Sequence, residues 1–224
     1  MNFSSNPNSK RFFLVVAVIL VLQLPVIFFI ISKFNHQVDK LPIYGNKEMA
    51  SNGDTIYHKL PDFHFVTQEN KPISLDSLAG KIHIADFFFT TCPGICPKLT
   101  KNLEKVHAFV NTVSTVHIVS YSIDPKHDSI PVLAAYAKKH RANPAKWSFV
   151  WGNQDSIYAL ATKGYLVTAE QGNGPENGFL HSQKIVLIDK EFRIRGFYDG
   201  LNPAELERMI AEIKLLMAEY KDLP

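Results

Sequence analysis

Cys92 and Cys96 are the only thiols in a chain of 224 residues, set four apart in Thr91-Cys92-Pro93-Gly94-Ile95-Cys96-Pro97. Two cysteines are too few to staple a fold of this size, so their value is chemical and depends on where they sit. Leu99, Leu103, Val106 and Phe109 recur at three- and four-residue steps, which predicts an amphipathic helix from Ile95 to Val110. Cys92 then lies just before the first turn and Cys96 within it, so both sulfurs reach toward one face. Unpaired amide protons and the positive end of the helix dipole favour thiolate there and lower the thiol pKa. Thiolate is the form that attacks disulfides and the form that binds soft metals, so dithiol exchange and metal coordination both stand as readings. In exchange, Cys92 at the loop would be the nucleophile and Cys96 would resolve the mixed disulfide. The blander alternative is a structural disulfide, but so small a loop removes little entropy from the unfolded chain.

A metal needs more than two sulfurs if it is to be held in both oxidation states of copper. Two thiolates suit Cu(I), whereas Cu(II) calls for a borderline nitrogen donor, usually imidazole. Nine histidines are on offer. His83 and His117 fall in apolar strands, His64 in a hairpin, His107 and His140 on helices, and His36 and His58 near the amino terminus. His127, in the segment SYSIDPKHD, follows a strand and is a weak candidate. His181 is the stronger one. It stands where the glycine-rich stretch Gln171 to Gly178 meets a strand, and Gly172, Gly174 and Gly178 would let such a loop close on a metal and swing off again.

These groups must be positioned by a scaffold, and the hydrophobic pattern predicts one. Lys81 to Thr91 (KIHIADFFFTT) and Val113 to Ile123 read as strands buried on both faces, and Trp147 to Trp151 as a shorter strand. Ser129 to His140 reads as a helix capped by Ser129, with Pro131 in its first turn. A third helix is expected near Asp155 to Lys163. Ser182 to Asp189 and Phe192 to Tyr198 form a hairpin, and a last helix opens at Asn202-Pro203-Ala204-Glu205 with a capping box. Strands separated by helices, closed by a hairpin and a helix, indicate an α/β sandwich with a mixed sheet. A cysteine pair directly after the first buried strand makes it thioredoxin-like. The spacing is nonetheless one residue wider than the Cys-x-x-Cys of thioredoxins, and Thr91 stands where an aromatic residue is usual. A peroxide-reducing site is disfavoured, because Phe89 and Ala85 replace the hydroxyl residue and proline it would want.

Ahead of this domain, residues 12–31 (FFLVVAVILVLQLPVIFFII) carry Gln23 as the one polar side chain and are long enough to span a bilayer as a helix. No small-residue cleavage site follows, and Lys10 and Arg11 before the segment against Lys33 after it keep residues 1–11 in the cytoplasm. The expected organisation is therefore a cytoplasmic tail (1–11), a transmembrane signal-anchor (12–31), a polar tether (32–59) and a folded domain (60–220) outside. A net charge of +3, with both signs interspersed, leaves no footprint for nucleic acid.

Taken in order, FFFTTCPGICPKLT at Phe87 to Thr100, SYSIDPKHD at Ser120 to Asp128 and HSQKIVLID at His181 to Asp189 resemble the Sco/SenC family. The resemblance implies a membrane-tethered, thioredoxin-like copper chaperone. It would deliver copper to the dinuclear centre of cytochrome c oxidase, or act as a thiol-disulfide reductase that keeps that subunit's cysteines reduced. It implies Cys92, Cys96 and His181 as the copper ligands, with the copper-bearing oxidase subunit as acceptor and an upstream copper donor or thiol reductant as a further partner. By the same resemblance Asp124 sits near the site, where it tunes the metal or caps its turn. Lys98 lowers the thiol pKa or is an exposed helix lysine. An acidic residue of some family members has no secure counterpart; Asp155 is nearest and is left out of the site. The His181-Ser182 approach also lacks the proline with which thioredoxins dock peptides.

Overall fold

The computed structural model describes residues 22–24, 40–167 and 183–222. Of the expected membrane span, Leu22 to Leu24 alone are described, and they are helical; the rest of 12–31 lies outside the described residues. Among the described residues no helix is long and apolar enough to cross a membrane.

A short antiparallel hairpin, β1 (Lys47–Met49) and β2 (Thr55–Tyr57), comes first. The main sheet has seven strands: β3 (His64–Thr67), β4 (Pro72–Ser74), β5 (Ile82–Phe88), β6 (Val116–Ser122), β7 (Trp147–Trp151), β8 (Lys184–Ile188) and β9 (Ile194–Asp199), in the spatial order β4-β3-β7-β6-β5-β8-β9. Strands β5, β6 and β7 run parallel, and β3, β4, β8 and β9 join antiparallel, so the sheet is mixed. Among the described residues the helices of this domain are α1 (Ile95–Val110), α2 (Ile130–Lys139), α3 (Gln154–Ala159) and α4 (Pro203–Glu219). Helix α3 passes into a π-helical turn, Leu160–Gly164, where an unbroken helix had been expected.

Alternation along the central strands sorts their residues onto two faces. Register pairs Asp86 with Ser120 and Phe88 with Ser122 on one face, and Phe87 with Tyr121 on the other. The first face meets the helices: Phe88 stacks on Tyr136 of α2 at 5.3 Å, and Tyr136 in turn hydrogen-bonds Thr100 of α1 at 2.9 Å. On the second, Phe87, Tyr121 and Tyr165 pack together with Phe63. His83 joins them, its Nε2 lying 3.3 Å from the Tyr165 hydroxyl. Since β5 and β6 are parallel neighbours, the loops that follow them leave the sheet at the same end.

Two local expectations are corrected. Ser129 precedes α2 but makes no side-chain cap bond; Pro131 has removed one of the amide donors that such a cap would satisfy. Asn202 caps α4 by accepting from Ala204 N at 3.0 Å, while Glu205 pairs with Arg208 instead of closing a box. The compact unit that holds the sheet begins at Leu41. Its leading segment is held by long-range polar bonds: Arg195 donates to the carbonyls of Leu41 (2.7 Å) and Pro42 (3.1 Å), and Tyr44 bridges to Ile194.

Candidate metal centre

Strand β5 ends at Phe88, and the chain turns through Phe89 to Gly94 before α1 begins. Within that turn Cys92 N–H donates to the Phe89 carbonyl at 3.3 Å. Both cysteines are free thiols and both are buried, at 7% and 6% exposure, so only an edge of the pair meets solvent. Thr100, one turn on from Cys96, donates to the Cys96 carbonyl at 2.9 Å and shares its hydroxyl with Tyr136.

The electrostatics differ from the sequence expectation. Burial pushes the Cys96 thiol up, a hydrogen bond with Cys92 pushes it the same way, and a backbone hydrogen bond at Phe89 opposes them but is outweighed. A helix start favours thiolate only where water or partners solvate the charge; here desolvation wins. The Cys96 thiol therefore keeps its proton, and its conversion to thiolate is driven by an incoming cation that takes the proton's place. Two sulfurs close enough to hydrogen-bond are also close enough to bind one soft ion, which is the fit that the residues present allow.

The other residues singled out from sequence are placed as follows. Asp124 lies in the turn after β6, 5% exposed, with its Oδ2 2.7 Å from His127 Nδ1. Its carbonyl accepts from Asp128 N at 2.9 Å, so it does organise its turn. Lys98 is exposed and is not among the groups that shift the Cys96 thiol, and Asp155 is exposed in the first turn of α3. His181 lies outside the described residues. Among the described residues, no group of three histidine, cysteine or acidic side chains could hold a metal ion. His127 is therefore not brought to the sulfurs as a third donor; its ring is taken by Asp124.

Two acidic residues that sequence reasoning passed over are buried at this end of the sheet. Asp86 of β5 accepts from the Ser120 hydroxyl, which itself accepts from Trp147 Nε1 at 2.9 Å. Burial raises its carboxyl to about 7, against a smaller lowering by Ser120, and its charge is felt at Cys96. A lone acid inside an apolar run, KIHIADFFFTT, was the available signal. The second is Asp128, fully buried and bonded to Thr90, two residues before Cys92.

A mixed-sheet α/β domain of thioredoxin type, with a dithiol at the start of the helix that follows its central strand, is the class that this fold and site define. The SCO1/SenC family model matches residues 53–218, and the chain belongs to that family. The SCO1 protein homolog of Bacillus subtilis is 27% identical over 163 residues, covering 72% of this chain and 84% of the relative. A SCO1/SenC family lipoprotein from Bacillus anthracis is 29% identical with a TM-score of 0.64, covering 71% of this chain and 95% of that one. BsSco, a member of the Sco family of cytochrome c oxidase assembly proteins in which a disulfide switch was identified, is 27% identical with a TM-score of 0.62, covering 71% and 93%. Arabidopsis thaliana ScoI, solved with copper bound, is 25% identical with a TM-score of 0.56, covering 69% and 97%.

Proposed function

We propose that this chain is a membrane-anchored copper chaperone. It takes one copper ion on Cys92, Cys96 and His181 and passes it to the copper-bearing subunit of cytochrome c oxidase. The observation that carries this reading is the pair of free, hydrogen-bonded thiols at the start of α1 in a chain of the SCO1/SenC family. Support comes also from the copper held by the Arabidopsis relative and from the oxidase-assembly family of BsSco. Copper is cargo here. Its charge stabilises both thiolates, the two thiol protons leave, and handover is an exchange of ligands with the acceptor's cysteines. Residues 12–31 would anchor the domain outside the cytoplasmic membrane.

Copper titration of the reduced full-length chain in detergent is the test. Uptake of one equivalent, lost in Cys92→Ser and Cys96→Ser and weakened in His181→Ala, is the expected result. Absence of stoichiometric uptake, or uptake indifferent to all three substitutions, overturns the reading.

A second reading is favoured by the hydrogen bond between the thiols: a reductase for the oxidase cysteines. The dithiol would become the Cys92–Cys96 disulfide as an acceptor disulfide becomes a dithiol, so two electrons and two protons move across. Cys96→Ser would then trap the acceptor on Cys92. A failure to trap, with copper uptake intact, removes it.

A further inference from the structure

Asp128 is fully buried and, among the described residues, has no cationic partner. Its charge is met by neutral donors alone. Thr90 N–H reaches Oδ1 at 3.2 Å and Oδ2 at 3.1 Å, the Thr90 hydroxyl donates to Oδ1, and the Ser122 hydroxyl donates to Oδ2 at 2.5 Å. Two of these three donor groups belong to the residue that precedes the Thr91-Cys92 step. The far side of the same loop is fixed to the sheet and to α3: Trp151 Nε1 donates to the Pro125 carbonyl at 3.0 Å, and Gln154 Nε2 to the Ile123 carbonyl at 3.1 Å. Ile123 N–H donates to the Phe88 carbonyl at 2.9 Å, so the loops after β5 and β6 are joined at their roots as well.

We propose that Asp128 is the positioning residue of the thiol site, holding Thr90 with both carboxylate oxygens and so fixing the Phe89–Cys92 turn that places the Cys92 sulfur beside Cys96. The inference rests on the copper-carrying reading for its consequence, though the placement itself does not. A buried carboxylate with no counter-ion is costly unless donors surround it. That cost makes the arrangement specific: Thr90 cannot turn away without leaving the charge bare. The hydroxyl and the amide act together, so the turn is held at side chain and backbone. Donors rather than an arginine also keep a fixed positive charge away from a site that must receive a cation.

The test uses the reduced full-length chain with Asp128→Ala, Asp128→Asn and Thr90→Val. Leu206→Ala, in the core beneath α4, serves as a control for general destabilisation. Three quantities are read: the iodoacetamide alkylation rate of Cys92 relative to Cys96, the Cu(I) affinity against a competing chromophoric chelator, and the unfolding midpoint. Asp128→Ala raises the Cys92 to Cys96 alkylation ratio several-fold and weakens copper by about tenfold, as for groups that orient metal ligands. Thr90→Val, which keeps the backbone donor, moves both in the same direction by less, and decides the matter where Asp128→Ala does not fold. Asp128→Asn restores both, because its amide oxygen can accept from Thr90 while its nitrogen donates to a rotated Ser122 hydroxyl. The proposal is overturned if the alanine variant folds with an unchanged ratio, if Leu206→Ala shifts the ratio equally, or if asparagine gives no rescue. Loss of copper binding by the unmodified chain would sink the chaperone reading instead, while the alkylation ratio would still judge Asp128.

Discussion

Asp189 and Asp128 are equally buried, at opposite ends of the central sheet, and are neutralised in opposite ways. Asp189 follows β8, whose Ile188 pairs with His83 near the start of β5; Asp128 lies beyond β6, level with the thiol turn at the end of β5. Asp189 is answered by two guanidinium groups, Arg193 at 2.8 Å and Arg195 at 3.1 Å, and Arg195 goes on to Glu219 at 2.8 Å. Asp128 is answered by an amide and two hydroxyls. The ionic end fastens together distant parts of the chain. The neutral end orders one turn through an amide and hydroxyls and brings no cation of its own to the thiol turn. How a buried charge is satisfied therefore follows what the neighbouring surface must do.

The comparison breaks most readily at the ionic end. Arg195→Ala takes the guanidinium from Glu219 and leaves the buried Asp189 with Arg193 alone, and should cost about 3 kcal/mol in urea unfolding, the low end of the penalty for breaking a buried pair from one side. The Cys92 to Cys96 alkylation ratio of the folded fraction should not change. A shift in that ratio would show that the two ends are not separable.

A third buried aspartate, Asp86, sharpens the contrast, because one hydroxyl does not hold its charge and burial raises it to about 7. Its neutral form belongs to the folded state, so its share of stability is complete below the unfolded value near 4 and is lost as pH rises through about 7. His83 and His117 act the other way. Burial lowers them to about 3 and about 4, so folding gains from them as pH rises toward 6.5. Between pH 4 and 6.5 the unfolded chain holds two histidine protons against the one kept by folded Asp86, and stability rises by about 1.4 kcal/mol per pH unit. Above that it falls. Asp86→Asn should remove the alkaline fall and stabilise the protein at pH 8 by about 4 kcal/mol. Urea midpoints from pH 4.5 to 8 check this, and an unchanged alkaline limb would place the titration elsewhere.

At the neutral end the stability effect should be smallest. Asp128→Ala leaves buried donors on Thr90 and Ser122 at a cost of about 2 kcal/mol. Its signature should appear at the sulfurs and exceed that of Arg195→Ala there, although Arg195→Ala unfolds the protein more easily.

Much of this was legible in the chain. The apolar run at residues 81–91 became β5, the steps from Leu99 to Phe109 became α1, and Cys92 lies just before that helix with Cys96 in its first turn. Each is a local or periodic signal. The polar pairings were not legible, because Thr90 with Asp128 and Arg195 with Leu41 join positions 38 and 154 apart, and single long-range hydrogen bonds leave no periodicity. The thiol was misjudged for a related reason. A helix dipole is visible in sequence, but the depth at which Cys96 is buried is a property of the assembled layers, and it outweighs the dipole. Ser129 failed as a cap because its own sequence neighbour, Pro131, withdrew a donor.

The grip of Arg195 on Leu41 and Pro42 has a mechanical side. A pull transmitted along the chain from residue 40 first loads that guanidinium and the carboxylates of Asp189 and Glu219. The strand β5, of seven residues and roughly 20 Å, separates that point of strain from the sulfurs. A pull on the leading segment would thus be taken up at the Asp189 end of the sheet and leave the thiol turn undistorted.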